Sequence, residues 1–256
     1  ETIFEFDQQT FIPQKIVYFK ENLYLFSPVN NQLFEINLTK DKKQEVFAFT
    51  EGLAVNLSAA SDEAIFFFFK PDKILSSRIS NGNFNFGDIF VLEIPSLDLD
   101  FISMASHLRN IYLLDEKSGE IVKYPPPFSK GEFWLKEGVK RIKEAESMAI
   151  DESIWILKEN TMSQYLKGEY VKDLQLYFFP FPKKLQKVFT SPNIPYIYIL
   201  DPSENRIAII DKTGRIIKQF YSNQFNNLKD FAVSPDGKKI YLLNGQKIHQ
   251  ILIDIR

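Results

Sequence analysis

One short apolar word recurs along the whole chain at a nearly constant interval. It reads Leu23-Tyr24-Leu25-Phe26, Ile65-Phe66-Phe67-Phe68, Ile111-Tyr112-Leu113-Leu114, Ile154-Trp155-Ile156-Leu157, Ile197-Tyr198-Ile199-Leu200 and Ile240-Tyr241-Leu242-Leu243. The aromatic second positions, 24, 66, 112, 155, 198 and 241, are 42, 46, 43, 43 and 43 residues apart. Short apolar runs rich in β-branched and aromatic residues, each bounded by turn residues, read as buried strands. A strand-built unit repeating at this length is a blade of a β-propeller, one four-stranded antiparallel sheet per unit. Six occurrences predict a six-bladed, all-β propeller, and because the repeat runs end to end they predict one domain over residues 1–256.

The last unit shows how the ring is expected to close. Residues 230–234 read as an inner strand, Ser234-Pro235-Asp236-Gly237 as a tight turn, 239–243 as a second strand, Asn244-Gly245 as a hairpin turn and 247–253 as a third strand. The chain then stops one strand short. Thr2-Ile3-Phe4-Glu5-Phe6 alternates apolar and polar residues as a half-buried strand does, so it is predicted to be the outermost strand of that blade, removing an open edge. In the second unit periodicity fades after Phe69, and residues 71–87 read as a longer loop or an irregular hairpin. Tyr124-Pro125-Pro126-Pro127-Phe128 reads as a stiff connector lacking ladder donors.

Composition narrows the function classes. With 25 Phe in 256 residues there is ample aromatic material for a packed interior. The net charge of −2 supplies no bulk attraction to nucleic acid or an anionic membrane. The absence of Cys excludes disulfides, thiol catalysis and Cys-based metal sites. No apolar run approaches the ~20 residues of a membrane-spanning helix. The sequence opens on Glu1 and is read as a domain cut from a longer protein.

Ser234-Pro235-Asp236-Gly237-Lys238-Lys239-Ile240-Tyr241-Leu242-Leu243-Asn244 resembles the repeat of bacterial YVTN-type propellers. Asn205-Arg206-Ile207-Ala208-Ile209-Ile210-Asp211-Lys212-Thr213-Gly214 resembles the next part of that repeat and also NHL-type repeats. The resemblance is clearest in the fifth and sixth units. It implies a toroid that binds something and leaves the chemistry open, since propellers serve as scaffolds, receptors and enzymes.

The candidate site is a ring of charge at the channel mouth. Residues opening the inner strands include Lys15, Glu51, Asp100, Glu146, Lys187 and Asp230; residues following the second strands include Lys70, Asp115, Lys158, Asp201 and Asn244. Such a ring could bind a peptide, a sugar or another polar ligand. The plainer reading is that strand ends are polar anyway and that Asp201 caps its own turn. The two histidines, His107 and His249, fall on distant blades and read as surface residues rather than ligands or a base. Nucleophile-elbow, phosphate-loop and calcium-loop motifs are missing from the sequence.

Two further segments carry a choice. Residues 136–143, KEGVKRIK, are locally basic and read first as a solvated loop. Phe178-Phe179-Pro180-Phe181-Pro182 is a docking patch if exposed, or packing between blades if not.

The sequence therefore points to a non-enzymatic recognition module. It would be the ligand-sensing or partner-binding part of a larger, membrane-anchored signalling protein, extracytoplasmic or at the cell surface, with a cytoplasmic setting as the alternative. The expected partner is a protein, a peptide or a small polar ligand, with no cofactor and no nucleic acid. The alternatives are a structural scaffold and a divalent-metal hydrolase resembling six-bladed calcium lactonases, for which Glu51, Asp100, Glu146 and Asp230 offer carboxylates without a matching Asn pair.

Overall fold

The computed structural model describes residues 1–7, 11–29, 31–39, 44–48, 55–61, 63–80, 83–95 and 98–255. Strand β1 is Thr2–Glu5. The first blade is β2 (Lys15–Phe19), β3 (Asn22–Ser27), β4 (Gln32–Asn37) and β5 (Gln44–Ala48); the second is β6 (Val55–Ala60), β7 (Ile65–Phe69), β8 (Lys73–Ser80) and β9 (Asn83–Val91). The third is β10 (Phe101–His107), β11 (Asn110–Asp115), β12 (Ile121–Tyr124) and β13 (Glu132–Phe133). The fourth is β14 (Ser147–Ile150), β15 (Ile154–Lys158), β16 (Thr161–Leu166) and β17 (Glu169–Gln175). The fifth is β18 (Lys187–Phe189), β19 (Tyr196–Asp201), β20 (Arg206–Asp211) and β21 (Ile216–Tyr221), and β22 (Leu228–Val233), β23 (Lys239–Asn244) and β24 (Lys247–Leu252) begin the sixth. The six four-stranded antiparallel sheets are the blades of an all-β propeller.

The sixth sheet has the order β1-β24-β23-β22, so the N-terminal strand is its outer strand. Phe4 pairs with Ile248 and Glu5 with Lys247. The N-terminal ammonium donates to Gln250 O at 3.0 Å. The tight turn of this blade is Gly245-Gln246, one residue beyond the Asn244-Gly245 pair expected, because Asn244 still pairs with Lys247.

The chain divides into two compact units, Glu1–Glu93 with Lys229–Asp254 and Ile94–Leu228 with Ile255–Arg256. In the first unit, Tyr241 and Leu243 of β23 pack with Ile16, Leu23 and Leu25 of blade one, while Tyr24 and Phe26 turn the other way onto Ile65, Phe67 and Phe69 of blade two. In the second, Tyr112 and Leu114 pack with Ile154 and Ile156, and Trp155 and Leu157 with Ile197 and Ile199. Alternate side chains of a strand point to opposite faces. The four-residue apolar word of each second strand is therefore uninterrupted, because both faces are covered. In the four blades followed by another of the same unit, the aromatic second position (Tyr24, Tyr112, Trp155 and Tyr241) faces that next blade. Burying each of these side chains stabilises by about 1.5–3 kcal/mol.

Of the two readings of the segment after Phe69, the irregular hairpin holds: β8 pairs with β9, the longest strands among the described residues. The ladder slips between Leu75 and Ser77, opposite Ile89 and Phe86. Gly87 sits at that slip, where a Cβ would collide with Ser76 O, so the close backbone approach needs a glycine.

Candidate functional site

The start of the inner strand repeats one device. Lys15, Leu57, Ser103, Ser147 and Lys187 occupy the same register, opposite Phe26, Phe68, Leu114, Leu157 and Leu200. Where the residue is a short polar one, it accepts a hydrogen bond from the next blade. Ser103 Oγ accepts from Met148 N at 3.0 Å, and Ser147 Oγ from Val188 N at 3.2 Å. Asp230 does the same with Oδ2, accepting from Ile16 N at 3.0 Å, and its Oδ1 accepts from Phe231 N at 2.9 Å. These bonds satisfy backbone donors at the blade junctions, where an unmade bond would cost about 1–3 kcal/mol.

The ends of the second strands repeat another. Asp115 and Asp201 are both fully buried. Asp115 Oδ2 accepts from Ser118 N at 2.7 Å and from its hydroxyl at 2.6 Å, and Oδ1 accepts from Asp100 N. Asp201 Oδ1 accepts from the Ser203 hydroxyl at 2.6 Å and caps the short 3-10 turn Pro202–Glu204 through Glu204 N at 3.3 Å. Its Oδ2 holds Arg206 at 2.7 Å. Both carboxylates are committed to shaping their turns, the plainer of the two readings for Asp201. In blade four the same place carries Lys158, whose Nζ donates to Lys143 O at 2.9 Å and to Glu144 Oε2 at 3.4 Å.

Within the second unit these strand ends border an open groove of about 600 Å³ lined by Glu116, Lys117, Lys143, Glu144 and Lys158. Its floor is stitched by backbone bonds, Glu116 N to Asp100 O at 3.0 Å and Glu144 N to Glu116 O at 2.7 Å. Glu146 stands alongside, its Oε2 accepting from Glu159 N at 2.9 Å. Burial pushes the Glu146 carboxyl above the ordinary value against the opposing pull of Lys184.

Of the residues expected to converge, Asp100 and Asp115 touch, and Glu146 and Lys158 flank the same end of blade four. Lys187 and Asp201 lie on blade five, opposite and beside Leu200. In the first unit, Asp230 reaches the residue after Lys15. Glu51 lies outside the described residues. Sequence reasoning passed over Glu116 and Glu144, whose place beside Lys158 comes from chain crossings rather than from spacing.

His249 is not a surface residue: it is buried, with Nδ1 3.1 Å from Thr2 Oγ1 and Nε2 3.4 Å from Asn244 Nδ2. His107 is half-buried at the end of β10. The basic loop is neutralised locally, Lys136 by Glu169, Lys140 by Asp173 and Arg141 by Glu120. The aromatic segment divides: Phe178 is buried in the blade-four and blade-five core, while Phe179 and Phe181 are exposed.

The fold defines a six-bladed β-propeller, and no helix among the described residues is long and apolar enough to cross a membrane. No protein-family model and no curated protein match the sequence. Solved structures match by shape. A streptogramin B lyase superposes with a TM-score of 0.66 at 12% identity, covering 93% of this chain and 92% of its own. A catalytically inactive histidine-to-alanine form of virginiamycin B lyase from Staphylococcus aureus, solved with quinupristin, gives 0.61 at 15% identity, over 99% of this chain and 88% of its own. A chain of a nidogen/laminin complex gives 0.63 at 9% identity, over 86% and 84%. At such identities the likeness is one of fold.

Proposed function

We propose that the chain is a non-enzymatic recognition module. Its second unit binds a polar ligand bearing both signs of charge, a peptide segment above all, in the groove of Glu116, Lys117, Lys143, Glu144 and Lys158. The carrying observation is the loose Lys158–Glu144 pair at 3.4 Å, with side chains 34% and 82% exposed, set between turns whose own carboxylates are fully bonded. An exposed pair of this kind is worth about 0–1 kcal/mol, so a ligand's ammonium and carboxylate can replace each partner at little cost. The fold likeness to a chain of the nidogen/laminin complex supports a partner-binding role. Within this reading we place the module outside the cytoplasm or at the cell surface, in a signalling protein, a setting that reporter fusions to the full gene product test directly.

Titration of a mixed-charge peptide pool into isotope-labelled protein tests the reading. The amides of the five lining residues shift, Lys158→Glu abolishes the shifts, and added salt weakens them. Shifts elsewhere, or shifts indifferent to Lys158→Glu, overturn it.

A metal-dependent hydrolase is the alternative, and Glu146 favours it: a carboxyl pushed up by burial beside an open groove is a candidate acid or base. Two lyases share the fold. Turnover of lactones or esters lost on chelation, and lost in Glu146→Gln, would establish that reading.

A further inference from the structure

A second surface lies between the outer strand of blade four and the inner strand of blade five. Tyr177, Phe179 and Phe181 are 76, 89 and 65% exposed, and Tyr221, at the end of β21, is 77% exposed. Three large apolar rings within five residues, turned to solvent, are not core material left over. The sequence offers them no concealment either, since Pro180 and Pro182 alternate with Phe179 and Phe181.

The loop is held rigidly from beneath. Arg206 Nη2 donates to Pro180 O at 2.6 Å, and the Arg206 guanidinium lies 5.1 Å from the centre of the buried Phe178 ring. Lys183 N donates to Ser203 Oγ at 3.1 Å. Tyr221 pairs with Arg206 across the backbone ladder, so both aromatic elements are tied to one residue. A preorganised aromatic tip loses little freedom on docking.

The chemistry of the tip selects its occupant. Pro180, exposed between Phe179 and Phe181, carries no N–H and its carbonyl already has its donor, so the most prominent part of the loop exposes few backbone polar groups. That property is of small use against water or a polar protein surface. It matters at the edge of hydrocarbon, where each unpaired backbone group is costly. Two exposed cations, Lys183 and Lys184, follow at once, while the acid of the neighbouring turn, Glu204, is half-buried. Aromatic rings with adjacent Lys suit the interfacial layer of a bilayer with anionic phosphates. We propose that the Tyr177–Lys184 loop, with Tyr221, seats the protein on an anionic membrane surface. The net charge of −2 gives the whole molecule no such attraction, so the affinity is local to this loop.

Vesicle sedimentation tests the proposal, using phosphatidylcholine alone and phosphatidylcholine mixed with phosphatidylglycerol. The protein partitions onto the anionic vesicles. Phe179→Ser with Phe181→Ser lowers partitioning by about a hundredfold, the loss expected from two ring insertions. Lys183→Glu with Lys184→Glu removes the preference for anionic over neutral vesicles. Phe179→Trp gives emission that shifts to the blue on adding vesicles. These side chains are exposed, and an unchanged unfolding midpoint verifies that each variant folds. No partitioning, partitioning indifferent to the serine pair, or unshifted Trp emission overturns the proposal. Loss of a protein partner in the serine variant without any vesicle binding likewise overturns it and assigns the tip to that partner.

Discussion

Arg206 grips Asp201 with two nitrogens, Nε at 2.8 Å and Nη2 at 2.7 Å, both on Oδ2, and neither side chain reaches solvent. Two more contacts hold the guanidinium, Nη1 donating to Gln219 Oε1 at 2.9 Å and Nη2 to Pro180 O. A buried pair is weak evidence for stability when compared with an apolar substitute, but removing one member leaves a buried charge uncompensated. Asp201→Ala should therefore lower the unfolding free energy by about 3–5 kcal/mol in urea denaturation. Arg206→Lys should also destabilise, because an ammonium cannot serve Asp201, Gln219 and Pro180 O together. Both variants should speed hydrogen exchange in residues 177–183, which hang from this guanidinium.

The propeller was legible because its signal is local: the four-residue apolar word of every second strand is covered on both faces and so runs without a polar residue. The N-terminal strand was legible for the complementary reason, an alternating strand at one end and a sheet one strand short at the other. The β8–β9 hairpin was legible only as one of two alternatives, because Ser76, Ser77 and Arg78 interrupt the apolar pattern of β8, and Phe86, Ile89 and Val91 of the outer strand are themselves exposed. The inner-strand starts were legible only in part. Lys15, Lys187 and Asp230 fall on the repeated device, whereas in blades three and four Ser103 and Ser147 occupy it, three residues after Asp100 and one after Glu146. A register shift between Phe101 and Ser103 breaks the spacing there, and no local pattern predicts it. Whether Asp115 and Asp201 face a ligand or their own turns depends on turn closure, which residue type leaves open.

Acid should weaken the seam between β1 and β24. Burial, then the N-terminal ammonium and Lys247, hold the His249 imidazole below its ordinary value, so the folded chain protonates it only at lower pH than the unfolded chain does. The unfolded chain takes up that proton below pH ~6.5. Stability contributed by the neutral ring is thus fully present above that pH and declines as pH falls. His107 is lowered as well, by burial, against Asp151 and Glu152, and adds a contribution of the same sign. Urea midpoints should drop between neutral pH and the acid side of that value. In His249→Gln the drop should be smaller than in the native chain. An equal drop in the variant would remove His249 from the account.

Leu108 and Arg109 form the two-residue turn between β10 and β11, with φ of 46° and 66°. Both angles are left-handed, where an L side chain crowds the following carbonyl at roughly 1–2 kcal/mol per residue. Such turns favour Asn-Gly, since Asn tolerates the conformation and Gly has no Cβ. Leu108 recovers nothing by packing, being 79% exposed. The surrounding bonds come from Asn110, whose Nδ2 donates to the carbonyls of His107 and Leu108 and does not depend on either turn side chain. Leu108→Asn should therefore raise the unfolding free energy by about 1 kcal/mol, read as a higher urea midpoint at unchanged denaturant slope. A neutral or destabilised variant would mean that Leu108 holds the turn by contacts that outweigh its backbone strain.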